Sequence, residues 1–234
     1  MSETLTFPPL MTGEPTAGDV MERAALRATM GCDAGLVVYN LGADALSAAL
    51  VFAPEVPLAQ AMAMLPLCGV GFQNALGALA PPEVAVHLDW AGGIRINGAR
   101  CGGFRVAASG SDPDAVPDWL VVGLFLPLWP ASDTPGDTPD DTALYAEGCA
   151  DVQAPLLVEA WARHTLNWIG RWESGGNKVL HDEWRGLAHG IGEQTTQGGL
   201  TGTFLGVDDA FGMLLRDAET THLIPLTTVL EDLA

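Results

Sequence analysis

The feature that most constrains the fold of this chain is a long stretch, residues 57–80, in which no side chain carries a charge. Alanine, leucine and methionine dominate it, and these residues favour helices and apolar surroundings. We therefore predict a long helix that is buried in the core. Pro66 and the glycines of 69–71 are expected to kink this helix, and Pro81-Pro82 to end it.

The overall composition supports a large core and limits the binding partners. Apolar residues make up 48% of the 234 residues, whereas disordered acidic chains are poor in large apolar side chains. Ten Lys and Arg against 29 Asp and Glu give a net charge of −19. This charge excludes sequence-independent binding to nucleic acid and disfavours docking on an anionic membrane. No Lys or Arg occurs between Arg27 and Arg95.

The cysteines and the N-terminus indicate a cytoplasmic protein. The four cysteines are widely spaced and form no Cys-x-x-Cys motif, so we expect neither a zinc site nor a disulfide framework. The N-terminal residues lack the basic and apolar segments of a signal peptide. The longest apolar runs, such as 119–129, are expected to be too short to span a bilayer.

The hydrophobic pattern predicts an α+β protein. A helix is expected from the N-cap Asp19 to Gly31, and an amphipathic helix over Gln153–Trp172. Hairpin turns are expected at Gly92-Gly93 and Asn97-Gly98. Residues 1–18 read as an extended arm, 130–141 as a loop, and the last forty residues as short strands with tight turns. The other strands are expected at Gly35–Tyr39, Leu46–Phe52, Val84–Leu88, Ile94–Ile96, Cys101–Ala107 and Trp119–Leu126.

Four segments of the chain, at 84–107, 119–128, 142–148 and 202–215, together resemble segments of biotin protein ligases. The segment VAVHLDWAGGIRINGARCGGFRVA (84–107) is similar to their Lys-Trp-Pro-Asn-Asp motif, short strand and Lys-x-x-Gly. The segment WLVVGLFLPL (119–128) stands where the family has a glycine-containing strand that ends in an Asn-bearing loop. TALYAEG (142–148) and GTFLGVDDAFGMLL (202–215) resemble two further family motifs, and the second of these motifs opens a small C-terminal domain.

The resemblance implies a fold, an activity and its partners. The fold would be a class II synthetase-like mixed β-sheet backed by helices, followed by an SH3-like β-barrel, with domains at 1–190 and 191–234. The activity would be ATP-dependent activation, with Mg, of a biotin- or lipoate-like carboxylic acid, followed by transfer to a lysine of a carrier domain. The protein would be a monomer or a homodimer.

Two loops of the family differ in this chain. The short segment NLGAD (40–44) stands where the family has an Arg/Gly-rich loop that closes over ligand and nucleotide. Asn40, the first residue of this segment, is a candidate substrate-binding residue. The Asn-bearing loop is replaced by Leu126-Pro127. Because the transition state of acid activation gathers negative charge, loss of a cationic loop argues against unchanged chemistry.

Two cationic positions of the family are altered. Arg100 stands at the family's second lysine, and is either a clamp on a carboxylate or phosphate or a hairpin arginine in water. His87 stands at the first lysine, and is either a weak cation of the site or a structural histidine. These two are the candidate catalytic residues. Arg95 alternates with Ile94 and Ile96, so we expect it to be solvated.

The remaining candidates would shape the site. Gly102 and Gly103 would either allow a ligand to approach the backbone or mark a bulge. Asp89 and Trp90 replace the Pro-Asn of the family motif, and Trp90 would line an apolar slot or belong to the core. Cys101 has no visible base nearby and is expected to be a core residue rather than a nucleophile.

One further cluster, RGLAHGIGE (185–193), is rich in glycine and contains His189. It is either a loop site or an ordinary loop. The sequence thus leaves two functions open. The first is an ATP-dependent ligase or acyltransferase, and the second is a non-catalytic descendant that binds a small carboxylic acid or a carrier protein.

Overall fold

The computed structural model describes residues 5–130 and 140–233, in which two β-sheets, four α-helices and two 3-10 helices are formed. The larger sheet has seven strands in the order β1-β2-β3-β7-β6-β5-β4, and the smaller has four antiparallel strands in the order β11-β10-β9-β8. The predicted α+β class, a mixed sheet backed by helices and followed by a small β unit, is confirmed. The predicted loop at 130–141 falls almost entirely outside the described residues.

The seven-stranded sheet is antiparallel except at one edge, where β1 runs parallel to β2. Residues 1–18 were expected to form an extended arm, but part of this arm is strand β1. Its sequence, TGEP, has no apolar alternation, so backbone pairing alone reveals it. The strands of this sheet are β1 Thr12–Pro15, β2 Leu36–Leu41, β3 Ala45–Phe52, β4 Val86–Leu88, β5 Gly93–Ile96, β6 Ala99–Ala108 and β7 Leu120–Pro127.

Helix α1, Val20–Thr29, covers part of one face of this sheet. The carboxylate of Asp19 accepts hydrogen bonds from the amides of Met21 (2.8 Å) and Glu22 (3.0 Å), as the N-cap prediction requires. Met21 and neighbouring apolar side chains of α1 pack on β2, β3, β6 and β7.

The other face is covered by helices α2 Leu58–Ala61, α3 Met64–Leu79 and α4 Ala154–Leu187. The apolar stretch is helical and buried as predicted, but it is interrupted at Met62–Ala63 and not at Pro66. Pro66 lies in the first turn of α3, where its missing N–H breaks no helical hydrogen bond.

The segment Leu58–Leu79 is long and apolar enough to cross a membrane by length and composition alone. The expectation that every apolar run is too short was therefore wrong for this segment. In the structure, 72% of its most apolar window is buried inside the fold, as in the core helix of a soluble protein.

Helix α4 extends beyond the predicted Gln153–Trp172 and reaches Leu187. It breaks its helical geometry at Gly176 (φ 67°, ψ −167°), after the sequence Ser174-Gly175. Because these small residues interrupt the apolar periodicity, the sequence pattern stopped the helix too early.

The smaller sheet packs against the end of the larger one. The indole N–H of Trp90 donates to the carbonyl of Phe211 (2.7 Å), and the rings of Trp184 and Phe211 meet at 6.2 Å. An SH3-like barrel remains a prediction for this unit. Its strands are β8 Gln194–Gln197, β9 Leu200–Val207, β10 Met213–Arg216 and β11 Thr221–Ile224, followed by a 3-10 helix at Leu226–Val229.

We expect Gly71→Ala to destabilise the protein by about 1–3 kcal/mol, because helices α3 and α4 touch at this residue. A Cβ atom at Gly71 would lie 2.6 Å from Thr165 Oγ1 and 3.1 Å from Thr165 Cα. Gly77→Ala in the same helix is the matched control, since its Cβ would meet only Gln73 Nε2 at 3.9 Å. Urea unfolding should show Gly77→Ala unchanged or more stable by up to about 1 kcal/mol. Equal effects of the two variants would contradict this close helix contact.

Candidate functional site

Helix α1 leaves one end of its sheet face uncovered by the described helices. On β4, β5 and β6, the residues His87, Arg95 and Arg100 are cross-strand neighbours in one row. Ile94 and Ile96 alternate with Arg95 and are fully buried on the opposite face. The three basic residues therefore share the face on which α1 packs, beyond the area that α1 covers.

A second row crosses the same face, from Gly93 through Gly103, Phe125 and Ser47 to Asn40. These positions have the same side-chain direction as the α1 contacts Val38, Ala49, Val121 and Ala107. Phe125 is 48% exposed here. We call the surface made by these two rows the open face. Four of the six candidate site residues lie on it, namely Asn40, His87, Arg100 and Gly103. Gly102 lies between two of them along β6, and Trp90 lies elsewhere.

A bulge in β6 brings the two rows together. The pairing of β5 with β6 shifts between Gly93 and Arg95, so that Gly93 pairs with Gly103 and Arg95 with Arg100. Gly102 lies in the extra segment with φ +74°, and a Cβ atom there would collide with the carbonyl of Phe125. Of the two interpretations of these glycines, the β-bulge therefore applies to Gly102. The bulge places Arg100 on the same face as Gly103.

Arg100 lies at the edge of the open face and is accessible. Its side chain is 55% exposed, and its Nε donates to the carboxylate of Asp141 at 2.9 Å. Its backbone N–H donates to the carbonyl of Asp140, and its carbonyl accepts from the N–H of Thr142, both at 2.8 Å. Residues 140–142 thus pair with β6 beyond the point where β7 ends. The sequence did not reveal this carboxylate partner, because it lies 41 residues away.

His87 and Trp90 are more enclosed than Arg100. The Nδ1 atom of His87 is buried and has no hydrogen-bond partner among the described residues. The rings of His87 and His189 approach edge to face, with centroids 6.5 Å apart. Trp90 is only 6% exposed, and its indole N–H is bonded to Phe211.

The carboxylate of Asp89 organises the end of the open face near His87. Its Oδ1 accepts from Nε of Arg95 (2.8 Å) and lies 3.2 Å from Nδ1 of His189. Arg95 was expected to be solvated, but its side chain is only 21% exposed and also donates to the carbonyl of Gly98 (3.0 Å). Sequence reasoning missed this cluster because Asp89 and His189 are far apart in the chain.

One cavity borders the Asp89 cluster, and another lies on the opposite side of the large sheet. One, of about 290 Å³, borders the Asp89 cluster and the smaller sheet. The other, of about 460 Å³, lies on the helix side of the large sheet, and is lined mainly by apolar residues that include Met64, Ile169 and Trp172. None of the candidate residues from the sequence lines the larger cavity, and Trp90 lines the smaller one.

The thiol of Cys101 is buried beside Arg100, as expected of a core residue. Burial raises the pKa of Cys101 to about 12, with smaller contributions from Glu147 and Cys149. Cys68 and Cys149 are also buried, and burial raises the pKa of each thiol. Among the four cysteines only Cys32 is partly exposed.

Comparison with known proteins places this geometry in a family. The model of the Biotin/lipoate A/B protein ligase family matches residues 7–186. The chain belongs to this family. A second model, a domain of unknown function (DUF4444), matches residues 191–232. The biotin–[acetyl-CoA-carboxylase] ligase of Paracoccus denitrificans is 26% identical over 191 residues, which are 77% of each chain.

Solved structures share the fold of this ligase-family chain. A biotin protein ligase-like protein from Silicibacter sp. TM1040 is 70% identical, with a TM-score of 0.93 over 98% of this chain and 100% of that one. The Aquifex aeolicus biotin protein ligase in complex with biotin and ATP is 16% identical, with a TM-score of 0.69 over 93% of this chain and 96% of that one. The second likeness shows the fold alone.

We expect iodoacetamide to alkylate Cys32 first in the native protein, because the other three thiols are buried. Mass spectrometry after a short reaction should show a single modification, and Cys32→Ser should abolish it. All four thiols should react after unfolding. Rapid native labelling of Cys101 would contradict its burial and its raised pKa.

Proposed function

We propose that this protein recognises a small carboxylic acid of the biotin or lipoate type on the open face, with Arg100 as the carboxylate-binding residue. The observation that carries the proposal is the accessible Arg100 beside the bulge at Gly102, in a chain of the biotin/lipoate ligase family. A guanidinium group fits a carboxylate with two parallel hydrogen bonds. Gly103 and Phe125 next to it offer close backbone approach and an apolar surface for the rest of the acid.

The Arg100–Asp141 ion pair does not prevent this binding. Both side chains are about half exposed, and exposed ion pairs contribute roughly 0–1 kcal/mol. A ligand carboxylate can therefore replace Asp141 at a small cost. His87 lies on the same row, two strands from Arg100, and its buried Nδ1 has no hydrogen-bond partner among the described residues.

The described residues fit a carboxylic acid better than they fit a nucleoside triphosphate. Arg95, Arg100 and Arg105 on this face each contact a carboxylate of the protein. A carboxylic acid needs to displace only the exposed contact at Arg100, whereas a triphosphate would need several of these contacts displaced. The connection between β2 and β3 is a tight turn, closed by the hydrogen bond from Gly42 N–H to Ala45 carbonyl (3.0 Å). We therefore assign no reaction step to ATP.

ATP-dependent activation of the acid remains the second candidate function, and a specific comparison favours it. A structural relative from Aquifex aeolicus is a biotin protein ligase in complex with biotin and ATP, and a relative from Paracoccus denitrificans is a biotin–[acetyl-CoA-carboxylase] ligase. In this candidate the acid held by Arg100 would be adenylated and passed to a lysine of a carrier domain.

We also propose that the chain is organised as 1–190 and 191–234. The two family models match on either side of residue 190, and the strands of the second sheet all follow it. The open face would then belong to the first unit, while the second unit would line one side of the cavity of about 290 Å³ beside Asp89.

Calorimetric titration with biotin, lipoate and octanoate tests the acid site. Arg100→Ala should weaken binding about tenfold or more, because a charge-assisted hydrogen bond is lost. Asp141→Ala should strengthen binding about two- to fivefold, because the competing carboxylate is gone. Arg216→Ala on β10 is the matched control and should change nothing. Methyl esters of the acids should bind equally to Arg100→Ala and to the unaltered protein, because they carry no carboxylate.

Acid binding that is unchanged in Arg100→Ala would overturn the proposal. Absence of binding by all three acids would overturn it as well. Exchange of labelled pyrophosphate into ATP separates the two candidates in the same samples. Exchange that depends on one of the acids would establish the ligase. Acid binding without exchange would leave the non-adenylating function.

A further inference from the structure

The cavity of about 460 Å³ on the helix side of the large sheet has no part in acid recognition. It is lined by the end of β3 and the residues that follow it, by the turn that precedes β1, and by helix α4. Its volume lies within the range of small-molecule sites, roughly 300–1,000 Å³. Such sites are mostly apolar, with a few polar groups that orient the ligand. The cavity therefore has the size and the character of a ligand site.

The apolar wall that α4 contributes to this cavity is accessible and fixed. Leu166, Ile169 and Trp172 line the cavity and each stay partly exposed. The indole N–H of Trp172 donates to Asn177 Oδ1 (2.6 Å), and Asn177 Nδ2 donates to the carbonyl of Asp209 (2.8 Å). The polar atom of the indole is thus satisfied across the break in α4, which leaves the apolar part of the ring for contact with a ligand.

Leu10, which also lines the cavity, combines an exposed side chain with a strained backbone. Pro8 to Met11 form a turn closed by the hydrogen bond from Met11 N–H to the carbonyl of Pro8 (3.1 Å). Leu10 is the third residue of this turn and has φ +71°, a conformation that favours glycine and strains a bulky residue. Its side chain is 84% exposed, so the fold gains little from a leucine there. Backbone strain of this kind collects at ligand sites, where contact with the ligand compensates for it.

The turn that carries Leu10 is held close to the sheet. The N–H of Gly35 donates to the carbonyl of Val51 (2.8 Å), and its carbonyl accepts from Thr12 N–H (3.1 Å). A Cβ atom at Gly35 would collide with the carbonyl of Leu10. Leu10 is therefore fixed relative to the cavity, which Gly35 and Val51 also line.

The charged groups of the lining favour a cation. Glu55 and Glu173 line the cavity and are exposed, and neither forms an ion pair with a described residue. No Lys, Arg or His is found among the described residues that line it. An anionic ligand would be repelled by these two carboxylates, whereas a cationic head group would be attracted.

We propose that this cavity binds a small amphiphilic cation. Its aliphatic or aromatic body would contact Leu10 and Trp172, and its ammonium-like head group would lie near Glu55 and Glu173. Carboxylates accept the hydrogen bonds of such a head group, and the body binds because its apolar surface leaves water. The cavity lies on the opposite side of the large sheet from Arg100, so the proposal does not rest on acid binding at the open face.

Nuclear magnetic resonance of the methionine methyl groups tests this site. Met11 and Met64 line the cavity, whereas Met21 packs under α1 and Met213 lies in the smaller sheet. Octylammonium should shift the signals of Met11 and Met64 in a saturable way and leave those of Met21 and Met213 in place. Replacing each methionine by leucine in turn assigns the signals.

Three matched probes separate the body of the ligand from its charge. Ethylammonium has the head group without the chain and should give no saturable shift. Octanol has the chain without the charge and should bind about two- to fivefold more weakly than octylammonium, because the carboxylates are exposed and their attraction is screened. Octanoate should not shift Met11 or Met64.

Glu173→Gln should weaken octylammonium binding about two- to fivefold, since it removes one carboxylate of the lining. Glu183→Gln is the matched control and should leave binding unchanged. Glu183 is an exposed residue of the same helix that does not line the cavity. Equal effects of the two substitutions would overturn the cation preference.

Leu10→Gly separates a ligand contact from a structural role. It should weaken octylammonium binding about fivefold, while the thermal midpoint of unfolding stays the same or rises because glycine tolerates the positive φ. Leu10→Met keeps an apolar side chain and should retain binding within about twofold. A residue that only supports the fold would not lose binding while stability is kept.

Several outcomes would overturn the site. They are equal shifts of all four methionines, no saturable shift at Met11 and Met64, octanol or octanoate binding as tightly as octylammonium, and unchanged binding in Leu10→Gly. Loss of acid binding in the calorimetric titrations would overturn the open-face proposal and leave this site unaffected.

Discussion

The structure depends on the burial of one uncharged helical segment. Helix α3 contacts the large sheet on one side and α4 on the other, and the indole N–H of Trp161 on α4 donates to the carbonyl of Cys68 on α3 (3.1 Å). Because this segment and helix α4 cover the helix side of the sheet with apolar side chains, polar chemistry is confined to the opposite face and to the sheet edges. The position of the candidate site follows from this division.

The second constraint is the bulge in β6. Arg100 and Gly103 are three positions apart, and in a regular strand their side-chain directions would point to opposite faces; they share one face because the bulge at Gly102 interrupts the alternation. One glycine with a positive φ therefore decides that a basic residue, a flat backbone surface and Phe125 share one surface. This local irregularity arises where the strand leaves β7 and pairs instead with residues 140–142.

The sequence predicted most of the fold because its signals are local. The N-cap of α1, the Asn97-Gly98 turn and the alternation of Ile94 and Ile96 each need only a few neighbouring residues. Strand β1 and the second half of α4 escaped prediction, since one has no apolar pattern and the other continues past Gly176. The site residues were predicted as individual positions on the basis of resemblance, while their partners were not. Asp141 and His189 reach Arg100 and Asp89 only through tertiary folding, and no spacing in the chain encodes those contacts.

The tight connection between β2 and β3 has a consequence for the lifetime of any reactive species on the open face. Residues 41–45 turn back at once and are too short to extend over Arg100 and Phe125. Enzymes that make activated acyl compounds gain from excluding water, which otherwise hydrolyses them. A surface that its own hairpin cannot enclose favours a bound acid that is chemically stable, or an acceptor that is already in place when activation occurs. The order in which the acid and its acceptor bind would then affect the yield of transfer more than enclosure of the site by a loop.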